Sequence, residues 1–154
     1  MRAGAGRFCL LLVPAIWLCG CTEGIRWKGP TFADAFPLAQ AGHKLTFVYF
    51  RSWYLVECTH FEEEVLKNSA VLAETQSMVC VPLDFDNDRL FVRPPLTEKW
   101  GITKVPAVVI VTPEGDVLAR GQAPITVQAL LGMIRDAKVA FAAGVTPATQ
   151  PAAP

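Results

Sequence analysis

Arg51–Val65, RSWYLVECTHFEEEV, is the stretch on which the fold turns. It begins where an apolar strand, Leu45–Phe50, ends, and it finishes inside a helix. The strand is apolar on both faces, the pattern of a central strand covered by helices on each side. After Trp53 and Tyr54, Glu57–Lys67 reads as a helix that points Phe61, Val65 and Leu66 inward. Far downstream, Val105-Pro106 stands directly before a second apolar strand, Ala107–Val111.

The elements on either side follow from spacing and punctuation. Thr31–Ala41 predicts a helix carrying Phe32, Ala35, Phe36 and Ala39 on one face, with Thr31 as a cap, Gly42 as a stop and Pro37 in conflict. Asn68 or Ser69 caps a short helix through Thr75. Met78–Phe85 is a strand and Asp86-Asn87-Asp88 a turn. Arg89–Trp100 is irregular or helical, broken by Pro94-Pro95. Thr112–Asp116 makes a hairpin turn between Ala107–Val111 and Val117–Arg120. Ile125–Phe141 is an amphipathic helix with Leu130, Leu131, Ile134 and Val139 inward, and Arg135, Asp136 and Lys138 outward. The order is helix, strand, helix, strand, helix, strand, strand, helix.

This layout resembles the thioredoxin-like fold, and implies an α/β domain with a central mixed sheet of about four strands flanked by helices. It is similar to periplasmic members such as the carboxy-terminal domain of the transmembrane disulfide interchange reductase. The shared features are Cys58, Phe61 three residues on, the acidic run Glu62-Glu63-Glu64, a second capped helix, and Trp100-Gly101-Ile102 before Val105-Pro106. In that family the helix opens with Trp-Cys-x-x-Cys. Counted from Phe50, the first cysteine position holds Leu55 and the second holds Cys58. A rival register makes Cys58 the nucleophile of a Cys-x-x-Phe monothiol site, with a strand-to-helix loop three residues longer.

The chemistry of the exchange is specific. A thiol at a helix N-terminus is ionised by the helix dipole and the free backbone N–H groups. Leu55 has no ionisable group and cannot attack a disulfide. Cys58 lies one turn deeper, where burial disfavours the thiolate, and the charge of Glu57 acts in the same direction. Tyr49 stands where the family has a buried proton-transferring Asp. The resemblance further implies that Val105-Pro106 is cis and that Val105 offers its main chain to an extended peptide. Trp53, Tyr54, Leu55, Val105 and Pro106 are then a candidate binding groove; alternatively, the first three fill space vacated by the dithiol.

The remaining chain bounds the setting. With 154 residues, 52% hydrophobic and 18% charged, it has enough apolar sequence for one packed domain, and a formal net charge of zero argues against a nucleic-acid surface. Residues 1–20 read as a signal peptide: Arg2 and Arg7, then the apolar run Phe8–Leu18, too short to span a bilayer. Leu18-Cys19-Gly20-Cys21 resembles a bacterial lipobox. That implies lipid on Cys21, membrane attachment through it, and a place in the cell envelope facing the periplasm. Thr22 after the cysteine favours the outer membrane over the inner by the same analogy. A plain secretory peptide or an uncleaved anchor is the alternative. Residues 21–30 are a tether, 31–141 the domain and 142–154 a disordered Ala/Pro-rich tail.

Cys58 and Cys80 remain as thiols in a compartment that permits disulfides. Cys80 is expected to be a buried thiol; pairing with Cys58 requires Cα atoms within about 7 Å. Asp84–Asp88 fails as a calcium loop, because Arg89 and Pro95 stand where Gly and Glu are needed. His60, two residues from Cys58, faces elsewhere on a helix, and His43 reads as a surface turn residue. No metal or other cofactor is expected. The function so implied is a lipid-anchored binding or accessory protein with a degenerate thiol-disulfide centre. The alternative is a one-cysteine protein that forms a mixed disulfide through Cys58.

Overall fold

The Leu45–Phe50 run lies at the middle of the sheet as β1 (Thr46–Arg51). In the computed structural model, which describes residues 24–27, 32–86 and 95–144, β1 pairs in parallel with β2 (Val79–Asp84). On its other side it pairs antiparallel with β3 (Ala107–Val111), and β3 pairs antiparallel with β4 (Val117–Gln122). The sheet is thus mixed and four-stranded, in the order β2-β1-β3-β4. The expected signal peptide, Cys21 and the residues from 145 onward lie outside the described residues, as do residues 87–94.

Side chains alternate along each strand and split the core in two. Phe47, Tyr49, Cys80, Val108 and Ile110 face one way, with Phe61, Val71, Leu130 and Ile134 packed over them. Val48, Phe50, Val81, Leu83, Val109 and Val111 face the other way, under Ala35, Ala39 and Trp100. The first group meets the π-helical run Phe61–Leu66 that directly continues the helix α2 (Val56–His60), together with α3 (Ser69–Thr75) and α5 (Val127–Ala142). The second meets α1 (Phe32–Gly42) and α4 (Pro95–Trp100). Asn68 caps α3 by accepting from the Ala70 N–H, and Thr126 caps α5 by accepting from the Ala129 N–H.

Several expectations shift in detail. Pro37 lies inside α1 without ending it; its ring is on the exposed face, where water can satisfy the carbonyl one turn earlier. The helix stops at His43, which takes a positive φ of 46° while the Lys44 N–H bonds the Ala39 carbonyl. That is a left-handed helix stop made without glycine. Val139, expected inward, is 69% exposed. Leu130, Ile134 and Ala137 set the buried face of α5, and Val139, two residues past Ala137, is turned about 200° away from it at 3.6 residues per turn.

Residues 24–27 belong to the expected tether, yet they touch the domain. Ile25 is buried among core residues, and Trp27 forms a parallel bridge with Cys80 at the β2 edge. Its ring stacks over Tyr49, centroids 6.0 Å apart.

Candidate functional site

The polypeptide leaves β1 through a tightly bonded corner. The Arg51 guanidinium lies over the Trp53 ring, 3.4 Å from its centroid. It also reaches Glu62 at 3.2 Å and Asp84 at 4.0 Å. The Asp86 carboxylate accepts from the Ser52 hydroxyl (2.7 Å) and the Trp53 N–H (3.0 Å). The Ser52 hydroxyl in turn accepts from the Tyr54 N–H at 3.3 Å. This corner sets where α2 starts.

Leu55 occupies the position before the first turn of α2, in extended conformation, and its carbonyl accepts from the Cys58 N–H at 3.1 Å. Leu55 is 39% exposed at the helix mouth; Cys58, one turn in, is 2% exposed. The Cys58 sulfur accepts from the Ser52 N–H at 3.4 Å. The register with a long loop and Cys58 at an exposed tip is therefore not adopted. Burial pushes the Cys58 thiol above its ordinary range, and Glu62 adds to this; the Ser52 N–H, the Tyr49 hydroxyl and Arg51 act the other way.

Tyr49 fills the space beneath Cys58. Its hydroxyl donates to Glu62 Oε1 at 3.2 Å and lies 3.4 Å from the Cys58 carbonyl oxygen. Burial, and then the negative charge of Glu62, raise the phenol well above its usual value, so it stays protonated at neutral pH. Cys58 and Cys80 are both free and buried. The Cys80 thiol is directed at the Thr75 carbonyl, 3.7 Å away. His60 is on the exposed side of the helix, 3.5 Å from Glu64, and does not share a face with Cys58.

Across from the helix mouth, the Val105-Pro106 peptide is cis. So is Ala123-Pro124, just past β4, and the Ala123 N–H bonds the Pro106 carbonyl at 2.9 Å. Gln122 fastens the loop in front of Val105. Its Oε1 accepts from the Thr103 N–H, the Thr103 hydroxyl and the Lys104 N–H, and its Nε2 donates to the Gly101 carbonyl. Between this wall and α2 runs an open groove of about 720 Å³.

Leu55, Val105 and Pro106 thus come together as lining residues of this groove. Trp53 and Tyr54 are not among its lining residues; they stand exposed on the corner, at 65% and 85%. Sequence reasoning missed Pro124, Gln122, Arg51 and Asp86. Only Ala123-Pro124 carried a signal, as an X-Pro pair at a strand end.

No family model matches the chain, and nothing among curated proteins matches it. Solved structures do. A thioredoxin from Thermus thermophilus superposes with a TM-score of 0.66 at 21% identity, over 84% of this chain and all of that one. A putative disulphide-isomerase from Bacteroides thetaiotaomicron gives 0.62 at 21% identity, over 75% of this chain and 94% of its own. The oxidoreductase DsbH gives 0.61 at 18% identity, over 86% and 94%. The fold is thioredoxin-like, and the sequence holds no Cys-x-x-Cys pair.

Proposed function

We propose that this chain is a non-catalytic binding protein of the bacterial envelope, lipid-anchored through Cys21, whose groove beside Pro106 receives an extended segment of a partner protein. The observation that carries the reading is the pair Leu55 and Cys58. An aliphatic side chain holds the helix mouth, and the one nearby sulfur is sealed beneath it. A disulfide exchange centre needs an exposed, stabilised thiolate. Here burial raises the thiol instead. A partner is then held by contacts alone, without a covalent intermediate. The groove supports this, because apolar side chains and a cis-proline loop line it at the helix mouth. The mixed-disulfide alternative has no observation in its favour, since Cys58 is out of reach of an incoming sulfur.

Three assays test the reading. The chain should give no insulin reduction above the dithiothreitol background; turnover like that of a dithiol thioredoxin ends the proposal. Crosslinking of the native protein in cells should capture the same partner with Cys58→Ser as with the parent. Loss of capture in that variant would favour the covalent route. Cys21→Ser should move the protein out of the membrane fraction and stop labelling by a fatty-acid analogue.

A further inference from the structure

The two walls of the groove differ in charge. The α2 wall presents Leu55, Val56 and Phe61 together with Glu57, His60 and Glu64. The opposite wall presents Val105, Pro106, Pro124 and Ile125, with Lys104 as its cation. The helix glutamates are not equivalent. Glu62 is engaged by Arg51 and Tyr49, and Glu63 by Lys67. Glu64 has His60 at 3.5 Å. Glu57 makes no ion pair among the described residues, and neither does Lys104. Glu57 and Glu64 both line the groove, one in α2 and one in its π-helical continuation, so they are spaced along it.

We infer that the groove selects an extended partner segment that sets an apolar residue over Leu55 and Pro106 and a lysine or arginine against Glu57 and Glu64. The inference rests on the reading of the groove as a segment-binding site. Charge complementarity fixes the class of occupant. A cationic side chain on the helix side gains the two glutamates, while Lys104 repels it from the loop side. An acidic side chain on the helix side meets like charge. The length follows from geometry. From Leu55 to Val65 the segment rises at most about 15 Å, since its π-helical half climbs less than 1.5 Å per residue, which matches about four residues of extended chain at about 3.3 Å each. Backbone contacts give such a segment affinity, and alternate side chains give it specificity.

The test uses the full chain and three fluorescent, end-capped eight-residue peptides: alternating Val and Lys, alternating Val and Gln, alternating Val and Glu. Anisotropy titrations at low salt should rank them Lys, Gln, Glu. The Lys peptide should bind about fivefold tighter than the Gln peptide, the worth of an exposed ion pair of about 1 kcal/mol. The preference should shrink in 0.5 M NaCl, as screened surface charge requires. Glu57→Gln with Glu64→Gln should abolish the Lys peptide's advantage over the Glu peptide, and Lys104 should then tip the order toward the Glu peptide, with circular dichroism checking the fold. If the Glu peptide binds as well as the Lys peptide, the charge selection is wrong while the groove reading stands. If no peptide binds and no amide near Leu55 or Val105 shifts in NMR titration, both fall together.

Discussion

A leucine at the mouth of α2 decides the chemistry at the residue scale, and its replacement is directly testable. Leu55→Cys should place a second thiol one helical turn from Cys58, at a helix start that favours the thiolate. Oxidation should then close an intramolecular disulfide, read as the loss of two hydrogens by mass spectrometry. Insulin reduction should rise above background yet stay below that of a dithiol thioredoxin, since Tyr49 offers no carboxylate for proton transfer. A variant whose two sulfurs never join would show that Leu55 does not hold the first cysteine's position. The same two buried groups give the fold an alkaline weakness. Cys58 and Tyr49 are both held protonated above their ordinary values. Their stabilisation is complete below the unfolded pKa values, about 8.5 and 10, and is lost as pH climbs toward the raised folded ones. The melting temperature should therefore fall from about pH 9 upward, and Tyr49→Phe should flatten the part of that fall above about pH 10. The substitution itself was legible, because spacing from Phe50 placed it. The burial of Cys58 was legible only as a consequence of that register.

Elements were readable where one periodicity ran unbroken. β1, β3 and α5 fall within two residues of their expected bounds, because apolar spacing is a local property of the chain. The wall that faces α2 was not readable in full. It depends on β4 running on to Gln122 and on that side chain reaching back to Gly101, Thr103 and Lys104. No local pattern marks a glutamine for that task. Gln122→Ala removes four hydrogen bonds from the loop that precedes Val105, and should cost about 1–3 kcal/mol in denaturant unfolding. Hydrogen exchange at the Thr103 and Lys104 amides should accelerate by more than the global loss of stability explains. Uniform acceleration across the domain would deny Gln122 its local role. α5 supplies a contrast. Val139→Lys, on the exposed face, should change stability by no more than about 0.5 kcal/mol, whereas Ile134→Ala in the core should cost about 2–5 kcal/mol.

For the whole molecule, the question is how the groove is held relative to the proposed anchor. Composition marks residues 21–30 as a tether, because Gly24, Gly29 and Pro30 punctuate it. The contacts made by Ile25 and Trp27 depend on a strand edge more than fifty residues away, which no local reading shows. With Ile25 packed, only Thr22–Gly24 separate it from Cys21, a reach of at most about 14 Å over four extended steps. Ile25 lies two residues before Trp27, which pairs in parallel with Cys80 at the start of β2, whereas the groove opens at the residues that follow β1. Ile25 and the groove therefore sit at opposite ends of the parallel pair β1 and β2. A lipid at Cys21 would hold the domain against the bilayer with its groove turned outward, toward partners in the periplasm. Trp53, 65% exposed on the groove side, reports this directly. In vesicles carrying the lipidated chain, acrylamide should quench the Trp53 emission, isolated by difference from Trp53→Phe. Brominated acyl chains should leave that emission unchanged. Quenching of Trp53 by the brominated lipid would mean that the corner lies against the membrane, and the outward-facing groove would have to be abandoned.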